Sequence, residues 1–270
     1  MKSRAAPTAR RSGGLLRTLR IALLLYILLM VAATAWLTKA RSTDWDDTLY
    51  MAIYPVNGDK SESTQRYVAE LEAPAFAPVA AFFAREGARY GLALENPIEV
   101  DLGKEIAEAP PVPPSGGNPI SIGWWSLRLR WFAWRTEHAQ SLPSPDIRMF
   151  VVYYDPQTHQ RLAHSLGLSK GLIGVVNAFA ARDYDERNDV VVAHELLHTL
   201  GATDKYDPAT NAPIYPEGYA EPDAKPLHPQ RNAEIMAGRI ARSESRSEIP
   251  ESMKRVVIGP KTAREINWVK

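Results

Sequence analysis

The stretch that decides the reading is His194-Glu195-Leu196-Leu197-His198-Thr199-Leu200-Gly201-Ala202-Thr203-Asp204. If residues 188–200 are helical, His194 and His198 stand one turn apart on the same face. Two imidazoles at that spacing can grip one Zn²⁺ through neutral ring nitrogens. Glu195, between them, is then placed to take a proton from water activated by the metal. Gly201 marks the helix end, because glycine accepts the left-handed turn that closes it. That turn swings Asp204 back as a third ligand. A His-Glu-x-x-His pattern arises by accident in roughly one chain in a hundred of this composition, and the added Gly and Asp lower that to about one in ten thousand. The plain alternative is a core helix with two hydrogen-bonded histidines, which Val190, Val191, Val192, Leu196, Leu197 and Leu200 would suit. A rigid metal site needs a buried helix as well, so burial does not separate the two.

On His194, Glu195, His198, Gly201 and Asp204 the chain resembles the metzincin clan of zinc peptidases, whose helix reads HExxHxxGxxH or HExxHxxGxxD. The Asp in third place is similar to the snapalysin-type branch. The resemblance spans residues 49–270 by order of elements. It implies an α+β, metzincin-like zincin with a twisted mixed sheet, an active-site helix and an irregular C-terminal subdomain. It further implies one catalytic Zn²⁺, a protein or peptide substrate, and a methionine turn beneath the metal, matched by Met236 in AEIMAGR. No tyrosine closely follows Met236, so the transition-state tyrosine of some branches has no counterpart there.

Composition narrows the classes. The 270 residues are 45% hydrophobic, enough for one sizeable domain with an appendage, and none is cysteine. Disulfides, a cysteine-based zinc ribbon and a cysteine switch are therefore excluded. Residues 1–41 hold eight Lys/Arg and no acid, which leaves 24 basic against 31 acidic residues beyond them. A domain that acidic is a poor match for nucleic acid.

The expected organisation is a basic cytoplasmic tail over 1–20, a transmembrane anchor over 21–38, a linker over 39–48 and a peptidase domain over 49–270. Its upper part is 49–201 and its lower part 202–270. The uncharged run 21–37 would span about 25 Å as a helix, which suits a bilayer core. Positive charge ahead of it predicts a cytoplasmic N-terminus and an extracytoplasmic (periplasmic or extracellular) catalytic domain. A cleaved signal peptide is the alternative, since Ala33-Thr34-Ala35 offers a cleavage site.

Further along, strands are expected at 49–56, 97–102, 147–154 and 171–180, and helices at 62–72 and from Pro78 to Tyr90. Residues 107–119 read as a Pro/Gly loop. Asn188 or Asp189 is the expected cap of the zinc helix. Gly167–Val176 is the expected sheet edge along which an extended substrate would add. Residues 121–138 place Trp124, Leu127, Trp131 and Trp134 at helical spacing among Arg128, Arg130 and Arg135. This reads as a core helix with snorkelling arginines, the alternatives being an aromatic-basic helix on a membrane surface or a protein-docking face.

Residues 205–232 form a long proline-rich loop, expected to wall the cleft and to offer Tyr206, Tyr215, Tyr219 or His228 to an oxyanion. Asp204 with Asp207 would instead suit Ca²⁺. Glu217 or Glu221 would be the third ligand in a gluzincin arrangement, but that ligand comes from a helix and this stretch does not read as one. Residues 242–251 read as exposed, and 262–269 as a closing helix with Trp268 inward. The expectation is a membrane-anchored zinc metalloendopeptidase. Its rivals are a hydrolase of another amide, such as a cell-wall cross-link, and a membrane-tethered scaffold with a structural or vestigial metal site.

Overall fold

The computed structural model describes residues 13–169 and 171–269, with side chains of 16–30, 33 and 43 onward. The tail expected over 1–20 lies largely outside them. Two compact units are present, 1–40 and 41–270. The first is the body of helix α1 (Gly13–Thr43), on which Leu23, Leu24, Leu25, Leu28 and Leu29 are all exposed. Among the described residues no single helix is long and apolar enough to cross a membrane. Most of the second half of the expected anchor, residues 31, 32 and 34–38, lies outside the described side chains.

The second unit is mixed α/β. Strands β1 (Leu49–Asn57), β2 (Ile98–Leu102), β3 (Ile147–Tyr154), β4 (Leu166–Leu168) and β5 (Ile173–Phe179) form one sheet in the order β2-β1-β3-β5-β4. All pairs are parallel except β4 with β5, so the sheet is mixed. Register pairs Met51 with Ile147 and Phe150 with Val175. Parallel strands need cover on both faces, and the apolar content of β1 and β3 reflects that. Met51, Ile53, Met149 and Val151 face the larger core; Ala52, Tyr54 and Phe150 face the smaller one.

Helices α2 (Glu62–Ala69), α3 (Ala77–Arg89) and α5 (Asp185–Thr199) cover the first face, and α4 (Pro119–His138) the second. The N-caps of α2 and α4 are readable in sequence: Ser61 accepts from the Thr64 amide, and Asn118 from those of Ile120 and Ser121. After α5 come the short pairs β6 (Ala233–Glu234) with β9 (Val256–Val257) and β7 (Ile240–Ala241) with β8 (Ser247–Glu248), then α6 (Pro260–Glu265).

Several expectations need correction. The helix begun at 62 stops at Ala69, and a separate 3-10 turn occupies Ala73–Phe76, where Pro74 cannot continue it. Helix α5 starts at Asp185, directly from the 3-10 turn Arg182–Tyr184, so neither Asn188 nor Asp189 caps it. The Asn188 side chain instead exchanges two hydrogen bonds with the Phe179 backbone, tying α5 to β5. Of the stretch expected to form the edge only β4 lies at one, the opposite edge being β2, while β5 is internal. The closing helix is short, because Asn267 takes a left-handed conformation, yet Trp268 is buried against Trp45, Phe83 and Tyr90 as expected. Residues 242–251 are mostly exposed, as expected, with Ser247–Glu248 paired as a strand. Finally, α4 buries Leu129, Phe132, Ala133 and Thr136 and leaves Trp124, Leu127, Trp131 and Trp134 exposed. The expected core stripe therefore faces outward.

Candidate metal centre

The C-terminal half of α5 carries His194, Glu195 and His198, and the helix closes as its glycine requires. Gly201 has φ +105, its N–H donates to the His198 carbonyl, and the Ala202 N–H returns to the Leu197 carbonyl. That closure reverses the chain within four residues and returns Asp204 to the histidines. Asp204 is held there from both sides. Glu265, from α6, accepts from the Thr203 amide and hydroxyl and pairs with Lys205 at 2.7 Å.

Asp204 Oδ1 lies 3.3 Å from His194 Nε2 and 3.1 Å from His198 Nε2. Each imidazole uses its other nitrogen on a backbone carbonyl at 2.9 Å: His194 Nδ1 on Ile235, and His198 Nδ1 on Ala202. Those carbonyls would hold the proton on Nδ1 and leave both Nε2 atoms free for a metal, as second-layer carbonyls do around metal-binding histidines; without a metal the Nε2 atoms hydrogen-bond the Asp204 carboxylate. One ligand atom from each of His194, His198 and Asp204 lies within 4.8 Å of the others. Tetrahedral bonds of about 2.0–2.1 Å would set such atoms roughly 3.3 Å apart, so the three side chains could hold a metal ion.

Glu195 is buried, and its Oε2 has no hydrogen-bond partner. An unpaired buried carboxylate oxygen is costly, which points to a missing polar partner beside the histidines. Burial pushes the Glu195 carboxyl up, against the lowering influence of His194 and His198. Burial acts the same way on Asp204, but the two histidine hydrogen bonds outweigh it and hold that carboxyl well below the usual range. For His198, burial pulls downward, and the bonds to Asp204 and Ala202 win and raise it.

Met236 is fully buried in the 3-10 turn Ile235–Ala237, whose first carbonyl is the one that orients His194. The Lys205 amide donates to the Met236 carbonyl, so this turn and the Asp204 segment are one framework. Tyr206 stands near the site: burial raises its pKa, with Asp204 and Glu195 adding to the rise. Tyr219 and His228 pair with each other at 3.2 Å, and Tyr215 packs edge-on to Tyr219. Asp207 accepts from the Ala209 amide in its own turn, while Asp204 faces the histidines. Glu221 accepts from the Arg231 amide within the loop.

Two contributors were not visible in sequence. His164, just ahead of β4, is close enough for its charge to lower the Glu195 carboxyl. Gly167 in β4 abuts α5 so closely that a Cβ would lie 2.3 Å from the Glu195 carbonyl and 2.6 Å from His198 Cβ. Nothing local distinguishes either residue. Both matter because β4 packs on the helix.

No family model and no curated protein matches this chain. Among solved structures it is similar to one titled "Structure of a chaperone-substrate complex", at 14% identity and a TM-score of 0.38. That match covers 82% of this chain, which spans about a third (34%) of the other chain's length.

Proposed function

We propose that this chain is a zinc-dependent endopeptidase of metzincin type, tethered through residues 21–37 with its second unit outside the cytoplasm. One observation carries the reading. Two imidazole Nε2 atoms and one carboxylate oxygen converge, each imidazole is oriented by a backbone carbonyl, and an unpaired buried carboxylate stands between them. His194, His198 and Asp204 hold the metal, which supplies Lewis acidity toward water and a peptide carbonyl. Glu195 takes up the proton released by the attacking water and delivers it to the departing amine. Its raised pKa suits both halves of that task, since a base poised nearer neutrality also returns its proton readily. Tyr206 offers a hydroxyl beside the reacting groups. β4, as the free antiparallel edge, offers backbone pairing to an extended peptide.

The test measures zinc content and peptide-library cleavage together. Glu195→Gln should keep one zinc per chain and lose roughly 10²–10⁴ in turnover. His198→Ala should lose both. Zinc retained by His198→Ala, or turnover undiminished in Glu195→Gln, would overturn the assignment.

A further inference from the structure

The outward face of α4 is unexplained by the metal centre. Ile120, Trp124, Leu127, Trp131 and Trp134 recur at alternating steps of four and three and are 84%, 65%, 60%, 58% and 55% exposed. A continuous apolar ridge of this kind marks a contact surface. Its flanks are basic. Residues 119–136 contain Arg128, Arg130 and Arg135 and no Asp or Glu, although the second unit as a whole is acid-rich. Arg128 is exposed, while the Arg135 guanidinium, 4.9 Å from the Trp131 ring centre, is paired with Glu108.

Two occupants fit a helical ridge: another helix or a lipid surface. A helix partner needs side chains that enter four-residue holes, a role met by Leu, Ile and Val, whereas three of these five positions are Trp. Indoles prefer the boundary between acyl chains and headgroups, and flanking arginines suit anionic headgroups. The ridge is the side of α4 opposite the sheet: Leu129, Phe132 and Ala133 pack on Ala52, Tyr54 and Phe150, and Glu137 bonds Arg148 at the start of β3.

We propose that the outer face of α4 is a second membrane contact. Its tryptophan ridge rests in the interfacial layer of an anionic bilayer, with Arg128 against lipid phosphates. This inference is independent of the metal and of the apolar segment at the N-terminus.

Because the chain has no cysteine, a single probe can be placed cleanly. An environment-sensitive fluorophore on Leu127→Cys of the full chain is compared with one on Gln160→Cys, an exposed position beyond the far end of β3. Both are mixed with phosphatidylcholine vesicles with and without phosphatidylglycerol. With anionic vesicles the probe at 127 should shift to the blue and lose at least two-thirds of its quenching by iodide, while that at 160 stays unchanged. Arg128→Glu should weaken the effect roughly tenfold in lipid concentration. Equal iodide access at both sites in the presence of vesicles would overturn the proposal. So would protection at 127 that needs no lipid and grows with protein concentration, which would assign the ridge to a second copy. Equal protection on neutral vesicles would overturn the role of Arg128.

Discussion

Helices α4 and α5 cover opposite faces of one sheet, and both carry apolar residues at helical spacing. In α5 the residues that read as a core stripe are the core: Val192, Leu196 and Leu197 are fully buried. In α4 the tryptophan stripe points to solvent, and a second stripe of Leu129, Phe132, Ala133 and Thr136 meets the sheet. Spacing identifies a helix face without saying which of two faces is inward. The sheet decides. The smaller core is lined by Ala52, Tyr54 and Phe150, and Phe132 fills it by packing 5.2 Å from Phe150, ring centre to ring centre.

The largest expected contrast is in stability. Leu196→Ala removes a fully buried side chain from α5 and should cost about 2–5 kcal/mol. Leu127→Ala on α4 should change stability by less than about 0.5 kcal/mol. Denaturant titration of the two variants checks this, and a large cost at Leu127 would mean that the ridge is already packed against protein.

Glycines sharpen the contrast at smaller amplitude. Gly167→Ala drives a methyl group into the Glu195 carbonyl and should cost roughly 1–3 kcal/mol by prising β4 from α5. Zinc affinity should fall with it, because His198 Cβ is in the same contact. Gly123→Ala on α4 meets nothing within 4 Å and should stabilise by about 0.5–1 kcal/mol, since a helical glycine spends extra backbone entropy. A neutral Gly167→Ala variant would show that β4 is not seated on the helix.

What sequence made legible follows the range of each interaction. The histidine pair, the glycine stop and the return of Asp204 lie within eleven residues, and local helix geometry predicts them. The strands at 49, 98, 147 and 173 were readable from apolar runs, and the Ser61 and Asn118 caps are equally local. The parts that finish the candidate metal site arrive from afar. The Ile235 carbonyl on His194 is 41 residues away, and the Glu265 clamp on Thr203 is 62. No spacing rule joins those partners. The cap of α5 failed for a related reason: Asn188 has the composition of a cap, but tertiary contact with Phe179 claims its side chain.

The finest distinction between the helices is electrostatic, and it should appear as opposite slopes of stability against pH. On α5, burial beside Asp185 and Glu186 pushes the Asp189 carboxyl up to about 7. The unfolded carboxyl releases its proton near the ordinary value of 3.8, so the folded state binds the proton more tightly and stability falls as pH rises from about 4 to 7. Asp189→Asn should therefore be near neutral at pH 4 and stabilising at pH 8, by on the order of 1 kcal/mol. On α4, burial opposes the ionised form of Glu137, but hydrogen bonds from Ser144 and Arg148 outweigh it and lower the carboxyl below 4.5. Its contribution is present above pH 4.5 and fades as pH falls through the lowered value. Glu137→Gln should then cost roughly 1 kcal/mol at pH 7 and progressively less in acid. Denaturation of both variants from pH 2 to 8 measures the pair. Parallel slopes would break the contrast, because they would place Asp189 in a polar setting like that of Glu137.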